Sequence, residues 1–235
     1  MAGRITRKEL KTDKFAVEIE HTVDFVTEHR RDLIIYSSIA VGVLLIAIAI
    51  FFYTRHQHSV REQALGAAIQ FQEAPVGPPN PGTLITFPTE DAKRAAVSKA
   101  FGEIASKYSG TSEGAVARYY LGASAADQGK MADAEKFLKE AADKGDKNYS
   151  SLARFSLAQV YFAEGKPAEA EKLLRDLIAH PTVFVSKEQA TIVLGQGIAS
   201  TKPAEARKLL EPLRTAPGAV SPIAINAVGV LNGQQ

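Results

Sequence analysis

The 235-residue sequence contains no cysteine and no tryptophan, and it has only two methionines. The lack of cysteine excludes disulfides, thiolate zinc sites and cysteine nucleophiles, and it leaves the redox compartment open. Neither sign of charge is in excess: the net charge of +2 gives no basic field that would attract nucleic acid. With 46% hydrophobic residues, the chain has apolar material for one folded domain and an additional segment.

Charge is completely absent from residues 33–53, LIIYSSIAVGVLLIAIAIFFY. At about 1.5 Å per residue, a helix of this length crosses roughly 30 Å of hydrocarbon. Arg31 and Arg55 flank the run, and Tyr36 and Tyr53 lie where interfacial aromatic belts form. A cleaved signal peptide fits poorly, because the run is too long and no small-residue cleavage site follows it. We therefore predict a single transmembrane helix.

The basic residues around this run give a weak orientation signal. Three precede it and two follow it nearby: Lys14, Arg30, Arg31, Arg55 and Arg61. Basic residues are favoured on the cytoplasmic side, so we expect the N-terminal segment, residues 1–32, in the cytoplasm and the C-terminal domain outside.

Two patterns near the membrane predict contacts with lipid or with other helices. Residues 14–32, KFAVEIEHTVDFVTEHRRD, place apolar side chains at helical spacing and predict an amphipathic helix that lies on the membrane or on a partner. Within the span, Ser38 and Gly42 form a small-xxx-small pair that would let another helix approach closely. One such pair also arises often by chance.

A nine-residue pattern recurs three times at a fixed period. KMADAEKFL, KPAEAEKLL and KPAEARKLL begin at Lys130, Lys166 and Lys202, which are 36 residues apart. Each copy spaces an alanine and a leucine four residues apart, on one helix face. A second helical run that ends at a glycine precedes the first two copies, at 115–129 and 151–165. The repeating unit is predicted to be helix, tight turn, helix.

This unit resembles the tetratricopeptide repeat, in which a helix A and a helix B meet through small residues. The matching positions, the repeat signature, are Leu121, Gly122, Gly129, Ala134, Leu138, Leu157, Ala158, Tyr161, Gly165, Ala170, Leu174, Ala206 and Leu210. In the degraded third unit, Thr201 replaces the turn glycine, and helix A carries Val193, Leu194 and Gly197. A unit of this kind cannot bury its apolar face alone, so stacked units are expected.

The segment between the membrane run and the repeats is predicted to form an atypical helical hairpin, residues 54–110. Its two helices are separated by the proline-rich loop 74–88, which contains five of the eleven prolines and cannot be helical. Thr89 is expected to cap the second helix. The repeats are assigned to residues 111–235.

Residues 221–235, SPIAINAVGVLNGQQ, are predicted to form a helix that caps the repeats. Ser221 suits the N-cap and Pro222 the first helical position. The predicted fold class is all-α, with a single transmembrane helix followed by a tetratricopeptide-repeat-like α-solenoid of helical hairpins.

One stretch imitates a catalytic motif. GTSEG, residues 110–114, matches the G-x-S-x-G of serine hydrolases, which functions only where a strand turns sharply into a helix. The residues before it are helical, so we interpret Gly110 as a helix C-cap and Thr111 or Ser112 as the next N-cap. We predict no catalytic residue and no enzyme.

Other apparent binding motifs fail on spacing. GASAADQGK, residues 122–130, puts six residues between its glycines, whereas a phosphate-binding loop needs four. His56 and His58 point to different sides of a helix, so they do not form a metal pair. The carboxylates of the B helices are interpreted as a solvated face: Asp133, Glu135, Glu169 and Glu171. We predict no cofactor and no metal.

In a tetratricopeptide array, side chains of the A helices line a groove. Counting by the 36-residue period, one line runs through Tyr119, Phe155 and Thr191, and a second through Ala126, Phe162 and Ile198. The predicted protein-binding groove is Tyr119, Leu152, Phe155, Gln159, Phe162 and Ile198. An aromatic stripe at this spacing is also typical of a core. Because Leu121 and Tyr161 already occupy core positions, an extended or helical polypeptide could cover the stripe.

The arrangement of N-terminal segment, anchor and divergent repeats is similar to the YfgM-like family, an ancillary subunit of the bacterial SecYEG translocon. The resemblance is carried by residues 14–32 with the anchor, and by KYSGTSEGAVARYYLGASAADQGK. It implies a non-enzymatic protein of the inner membrane whose repeats lie in the periplasm and bind translocon subunits, secreted polypeptides or chaperones. The alternatives are an envelope or cell-division coordinator that binds cell-wall machinery, and a hydrolase using Ser112. Nucleic acid and small-molecule substrates are not expected.

Overall fold

The computed structural model describes residues 30–78, 82, 84–218 and 220–233. Most of the predicted amphipathic helix, residues 14–32, lies outside the described residues. The described chain is helical and forms no strand, which confirms the all-α class. In chain order its helices are α1 Arg30–Glu73, α2 Glu90–Lys107, α3 Ser112–Asp127, α4 Met131–Lys144, α5 Lys147–Ala163, α6 Pro167–Ala179, α7 Lys187–Gly197, α8 Pro203–Leu210, a 3₁₀ segment Glu211–Thr215, and α9 Val220–Gly233.

The chain divides into two compact units, one up to Ser59 and the other from Val60 onward. In the first unit, α1 contains the apolar run, with a mean hydropathy of 2.7 over its best window and no burial there. Of the described helices, it alone is long and apolar enough to cross a membrane. The Ser38 hydroxyl donates a hydrogen bond to the Ile34 carbonyl at 2.6 Å, so this serine already has a partner within its own helix.

The second unit begins with a hairpin formed by the C-terminal part of α1 and by α2. Its shared core includes Ala68 from α1 and Val97, Phe101 and Ile104 from α2. Thr89 caps α2 as predicted, because its hydroxyl accepts a hydrogen bond from the Ala92 backbone at 3.1 Å. These contacts provide the surface on which the first repeat unit stacks.

The proline-rich loop between α1 and α2 is not helical where it is described, as predicted. Two backbone hydrogen bonds close it: Gly77 N donates to Phe87 O at 2.9 Å, and Phe87 N donates to Pro75 O at 3.1 Å. The Phe87 ring packs edge-on against Phe71, with centroids 5.9 Å apart. The loop is therefore held against the end of α1.

Three helical hairpins follow, α3–α4, α5–α6 and α7–α8, and they share one hydrophobic core. The B-helix leucines of the three units, Leu138, Leu174 and Leu210, are each completely buried. So are the paired alanines four residues before them: Ala134, Ala170 and Ala206. The repeated pattern thus encodes one side of each hairpin and its contact with the next.

The first two hairpins turn through a Schellman motif. Gly129 and Gly165 both have φ of +73°, the left-handed conformation in which glycine escapes the Cβ penalty. The residue after each glycine closes the motif: Lys130 N donates to Ala125 O at 2.9 Å, and Lys166 N donates to Tyr161 O at 2.8 Å. The predicted turn glycines are therefore placed as the repeat requires.

The third hairpin turns differently because Thr201 stands in the glycine position. Among the described residues only glycines have positive φ, so this threonine does not take the left-handed conformation. Instead Lys202 N donates to Ile198 O at 2.7 Å, four residues back rather than five. The turn is consequently one residue shorter than in the other two units.

The shorter turn shifts α7 by one position relative to its predicted register. In the first unit Gly122 faces Leu138, and an added Cβ would lie 2.7 Å from the leucine Cγ. In the third unit the glycine facing Leu210 is Gly195, at a corresponding 2.6 Å. Leu194, which was predicted only to lie on helix A of this unit, is a completely buried core residue.

Two predicted helix ends differ from the structure by one or a few residues. Helix α9 begins at Val220, so Ser221 lies inside the first turn, where its hydroxyl donates to the Arg214 carbonyl, and is not the N-cap. Helix α2 ends at Lys107 with Tyr108 as its C-cap, which leaves Gly110 in the connection to α3. Helix α9 nevertheless packs on α7 and α8, as expected of a capping helix.

Candidate functional site: the helix A surface

Five of the six predicted groove residues lie on α3 and α5 with some exposure. Tyr119, Leu152, Phe155 and Phe162 are half-buried, and Gln159 is exposed. The sixth, Ile198, is completely buried. Its placement in the groove is wrong, because the shorter turn before α8 rotates Ile198 into the position that Ala125 and Tyr161 hold in the other units.

The half-buried side chains of the predicted groove also contact the hydrophobic core. Leu152, Phe155 and Phe162 pack against the central core cluster while remaining partly exposed. The Phe162 ring lies directly over Gly197 of α7, where an added Cβ would come within 2.2 Å of the ring. These side chains therefore pack against the core and also remain partly exposed, so the core interpretation and the groove interpretation of the stripe are compatible.

A chain of ring contacts, the aromatic row, crosses successive repeat units: Phe101, Tyr120, Tyr119, Tyr149 and Phe184. The Phe101 and Tyr120 rings are stacked at 4.6 Å. Tyr119 meets Tyr149 at 6.1 Å, and Tyr149 meets Phe184 edge-on at 5.2 Å. Burial raises the pKa of Tyr119 and of Tyr120, so these phenols stay neutral. The period did not reveal Tyr149 or Phe184, because they lie at helix starts and in a loop.

A shallow depression lies between the A helices α3 and α5. It encloses about 230 Å³ and includes the predicted Gln159 together with Ala126, Asp127, Met131 and Ser156. Its walls combine small apolar groups with one amide and one carboxylate. Such a surface suits a polypeptide segment that contributes both apolar side chains and backbone hydrogen bonds.

A larger cleft lies elsewhere, between α2, α3 and α4, and encloses about 600 Å³. Leu121 and Phe137 contribute to its apolar surface, and charged side chains of both signs also line it: Arg94, Arg118, Lys130, Asp133, Lys136 and Glu140. The sequence predicted Leu121 as a core residue, whereas it is half-exposed and lines this cleft. This cleft was not predicted from the sequence. It forms over α3 between α2 and α4, and no local sequence pattern indicates the space between two helices that are not consecutive in the chain.

Arg118 holds the wall of this cleft together. Its buried guanidinium donates to the Ala105 carbonyl at 2.8 Å and to the Ser109 carbonyl at 3.2 Å, at the C-terminal end of α2. It also pairs with Glu140 of α4 at 2.7 Å. A cation at this position satisfies carbonyls that have no partner within the helix. Arg118 therefore links three helices.

Ion pairs connect each B helix with the next. Lys166 Nζ lies 2.8 Å from Glu135 Oε2, and Lys202 Nζ lies 2.7 Å from Glu171 Oε1. The two glutamate side chains are only 20% and 13% exposed. The prediction that Glu135 and Glu171 belong to a solvated face is wrong, because each accepts hydrogen bonds from the following repeat.

These contacts lower the pKa of both carboxyl groups. Hydrogen bonds from Lys139 and then Lys166 hold the pKa of Glu135 at about 2. Lys202, followed by Arg175, lowers the pKa of Glu171. Both carboxylates are thus charged at neutral pH, and their role is to join repeat units.

The apparent serine-hydrolase motif lies between two helices. The Thr111 side chain accepts a hydrogen bond from Gly114 N at 3.2 Å and caps α3, and Ser112 is the first residue of that helix. Gly114 is required by packing, since an added Cβ would lie 2.0 Å from the Tyr108 carbonyl oxygen. The strand-to-helix turn that the hydrolase motif needs is not formed by residues 104–114.

Stacked helix–turn–helix units with a shared core define the protein as a helical repeat protein. The family model of the tetratricopeptide repeat-like domain matches residues 36–189, more than half of the chain, so the chain belongs to this family. The match starts within the apolar run of α1 and ends in the first turn of α7. Searches of curated proteins and of solved structures gave no significant match.

Proposed function

We propose that the protein is a membrane-anchored tetratricopeptide-repeat scaffold that binds proteins on the extracytoplasmic side of the bacterial inner membrane. In this role it is an ancillary translocon subunit that links secreted polypeptides to periplasmic chaperones. In this role the protein has no catalytic function, and its repeats provide surfaces to which other proteins bind.

The observation that carries the proposal is the surface of α3 and α5. Tyr119, Leu152, Phe155 and Phe162 are fixed by the core on one side and accessible on the other. Rigid aromatic and aliphatic anchors beside a depression are the features that dominate binding energy at protein interfaces. The groove is therefore preorganised, which lowers the entropic cost of binding.

The membrane location is supported by α1, which has the length and hydropathy of a membrane span. Basic residues around the run favour an N-terminus in the cytoplasm, which puts the repeats on the other side. The translocon role follows from the resemblance of the whole arrangement to the YfgM-like family.

Site-specific photo-crosslinking in cells tests the binding surface. A photoreactive residue replaces Gln159 in the full-length chain, and the matched control replaces Lys136, an exposed residue of the larger cleft. Translocon subunits, chaperones or secreted polypeptides crosslinked from position 159 and not from 136 would support the proposal. Crosslinks from position 136 alone would mean that partners bind at the cleft and not at the groove. Crosslinks from position 159 to cell-wall or cell-division proteins would favour the alternative role as an envelope coordinator.

Protease accessibility in spheroplasts tests the topology independently. If the repeats are extracytoplasmic, added protease digests them in intact spheroplasts and leaves a membrane-protected N-terminal fragment. Digestion only after lysis would place the repeats in the cytoplasm and would exclude a role at the translocon exit.

A further inference from the structure

Two depressions meet on the exposed side of α3. The first is the depression between α3 and α5 described above. The second encloses about 210 Å³ and lies between α3, the end of α1 and the first turns of α2. Ala123 and Asp127, one helical turn apart on α3, line both of them. Because the side chain of Ala123 is a single methyl group, the ridge between the depressions is low, and a polypeptide that lies in one can continue into the other.

The depression between α3 and α5 has the size and the lining of a site for one long side chain. At about 230 Å³ it is smaller than the roughly 300–1,000 Å³ typical of small-molecule sites. Met131, Val160 and alanines of both A helices form its apolar wall, and among the described residues that line it Asp127 alone is charged. Lysine and arginine combine an apolar stem with a cationic head. The stem would lie along the wall, and the head would reach the carboxylate.

The fold gives no reason for a negative charge at position 127. Asp127 is exposed and is the last residue of α3, where the negative end of the helix dipole disfavours a carboxylate. Within the part of the chain that the structure describes, this carboxylate makes no hydrogen bond and no ion pair. A residue that opposes a local rule without a compensating contact is more often functional than structural. Asp127 is therefore available to a bound segment.

The ends of two helices add to the negative potential of this depression. Ala163, the last residue of α5, lines it together with Asp127. Neither α3 nor α5 has a basic residue in its last turn, whereas α2 and α4 each have a lysine there. The lysines that follow the two helices are engaged elsewhere: Lys130 donates to the Gln128 side chain at 2.9 Å, and Lys166 pairs with two glutamates. The depression thus favours a cation from outside the chain.

From these observations we propose that the groove on α3 and α5 binds polypeptide segments in which a lysine or arginine stands between apolar residues, with the cationic side chain in the depression and paired with Asp127. This inference rests on the proposed function, because it names the class of segment that the groove accepts. The flanking apolar side chains contact the half-buried groove residues. Segments with an acidic residue at the same position are rejected, because two carboxylates repel each other.

Peptide binding to the full-length protein in nanodiscs of zwitterionic lipid tests the preference, with empty nanodiscs as the background. Three fluorescein-labelled peptides of alternating leucine and serine differ only at the central position, which is lysine, glutamine or glutamate. The wild type should bind the lysine peptide about tenfold more tightly than the glutamine peptide, as one charge-assisted hydrogen bond predicts. The glutamate peptide should bind more weakly still. Equal affinities for the three peptides would overturn the inference.

Substitutions at position 127 assign the preference to this carboxylate. Asp127→Asn should bind the lysine and glutamine peptides equally, and Asp127→Lys should prefer the glutamate peptide. The control is Asp133→Asn, which changes an exposed carboxylate of the other cleft and should keep the wild-type preference. Because Asp127 is exposed at the negative end of a helix, far-UV circular dichroism should be unchanged in both of its variants. A preference that survives Asp127→Asn, or that is also lost in the control, would overturn the inference.

Competition with the photo-crosslink from position 159 separates this inference from the proposed function. The lysine peptide should reduce that crosslink, because Gln159 lines the same depression. Peptides that compete there without regard to their charge would leave the groove as a binding surface and would exclude the role of Asp127. The absence of both peptide binding and crosslinks from position 159 would overturn the inference and the proposed groove together.

Discussion

Lys166 Nζ lies 2.8 Å from Glu135 Oε2, and this contact fixes the start of α6 to the B helix of the preceding repeat unit. Lys202 repeats the contact with Glu171 one period later. In both cases the lysine opens one copy of the nine-residue pattern, and the glutamate is the sixth residue of the copy before it. The lysine that opens each of these two copies therefore links two repeat units, in addition to forming part of its own turn.

The Lys166–Glu135 pair should stabilise the protein measurably. We expect Glu135→Gln and Lys166→Met each to lower the free energy of unfolding in urea. The double variant should lose less than the sum of the two, because the second change removes a group that has already lost its partner. Far-UV circular dichroism of the full-length chain in mild detergent provides the measurement.

The control for this cycle is the pair Asp91–Arg94 of α2. Both side chains are well exposed, at 89% and 55%, and both belong to the same helix. Pairs of this kind couple weakly, typically by about 0.3–0.5 kcal/mol. A coupling energy at Lys166–Glu135 no larger than the control value would show that the pair does not hold the units together.

Stability should fall in acid because of the two linking glutamates. The folded-state pKa of Glu135 is about 2, below its usual value of 4.5, and that of Glu171 is also lowered. A depressed pKa contributes stability that is present above the unfolded-state value and is lost as pH falls through the folded-state value. The contribution of Glu135 should therefore disappear between about pH 4.5 and pH 2.

Urea titrations at a series of pH values check this dependence. The variant with Glu135→Gln and Glu171→Gln should be less stable than the wild type at neutral pH, and the difference should shrink as the pH is lowered. If the two proteins lost stability in parallel across this range, other carboxylates would be responsible.

Local signals made the first two repeat units predictable from the sequence, and their absence explains where the prediction failed. Gly129 and Gly165 determine their turns through a backbone conformation that other residues avoid. At Thr201 the 36-residue count continues unchanged while the turn itself becomes shorter, so counting placed Ile198 one position out of register. A periodic count cannot detect a shift that leaves the period intact.

The clefts and ion pairs were not predictable because they depend on residues far apart in the chain. Arg118 resembles any polar residue of a helix in the sequence, yet it is buried against the end of α2 and paired with Glu140. The groove prediction succeeded only in placing side chains on the A helices. Whether those side chains bind a protein remains a prediction that the crosslinking experiment decides.

Gly122→Ala should destabilise the first unit. The added Cβ would lie 2.7 Å from Leu138 Cγ and 3.1 Å from the Leu138 backbone nitrogen, so α3 and α4 would have to separate. Overpacking of a close-packed core costs about 1–3 kcal/mol. Gly102→Ala in α2, where an added Cβ meets nothing within 4 Å, is the control and should stabilise by up to about 1 kcal/mol through helix propensity. Urea unfolding of the two variants should give changes of opposite sign.

The contact between Phe162 and Gly197 should behave as a size-matched pair. Gly197→Ala alone would place its Cβ within 2.2 Å of the Phe162 ring and should destabilise the contact between the second and third units. Phe162→Leu alone removes ring contacts and leaves a cavity, which should also destabilise. Combined, the smaller leucine leaves room for the added methyl, so the double variant should be more stable than the sum of the single effects predicts. Additive losses in urea unfolding would mean that the ring does not rest on α7, and Phe162 would then be available entirely to the groove.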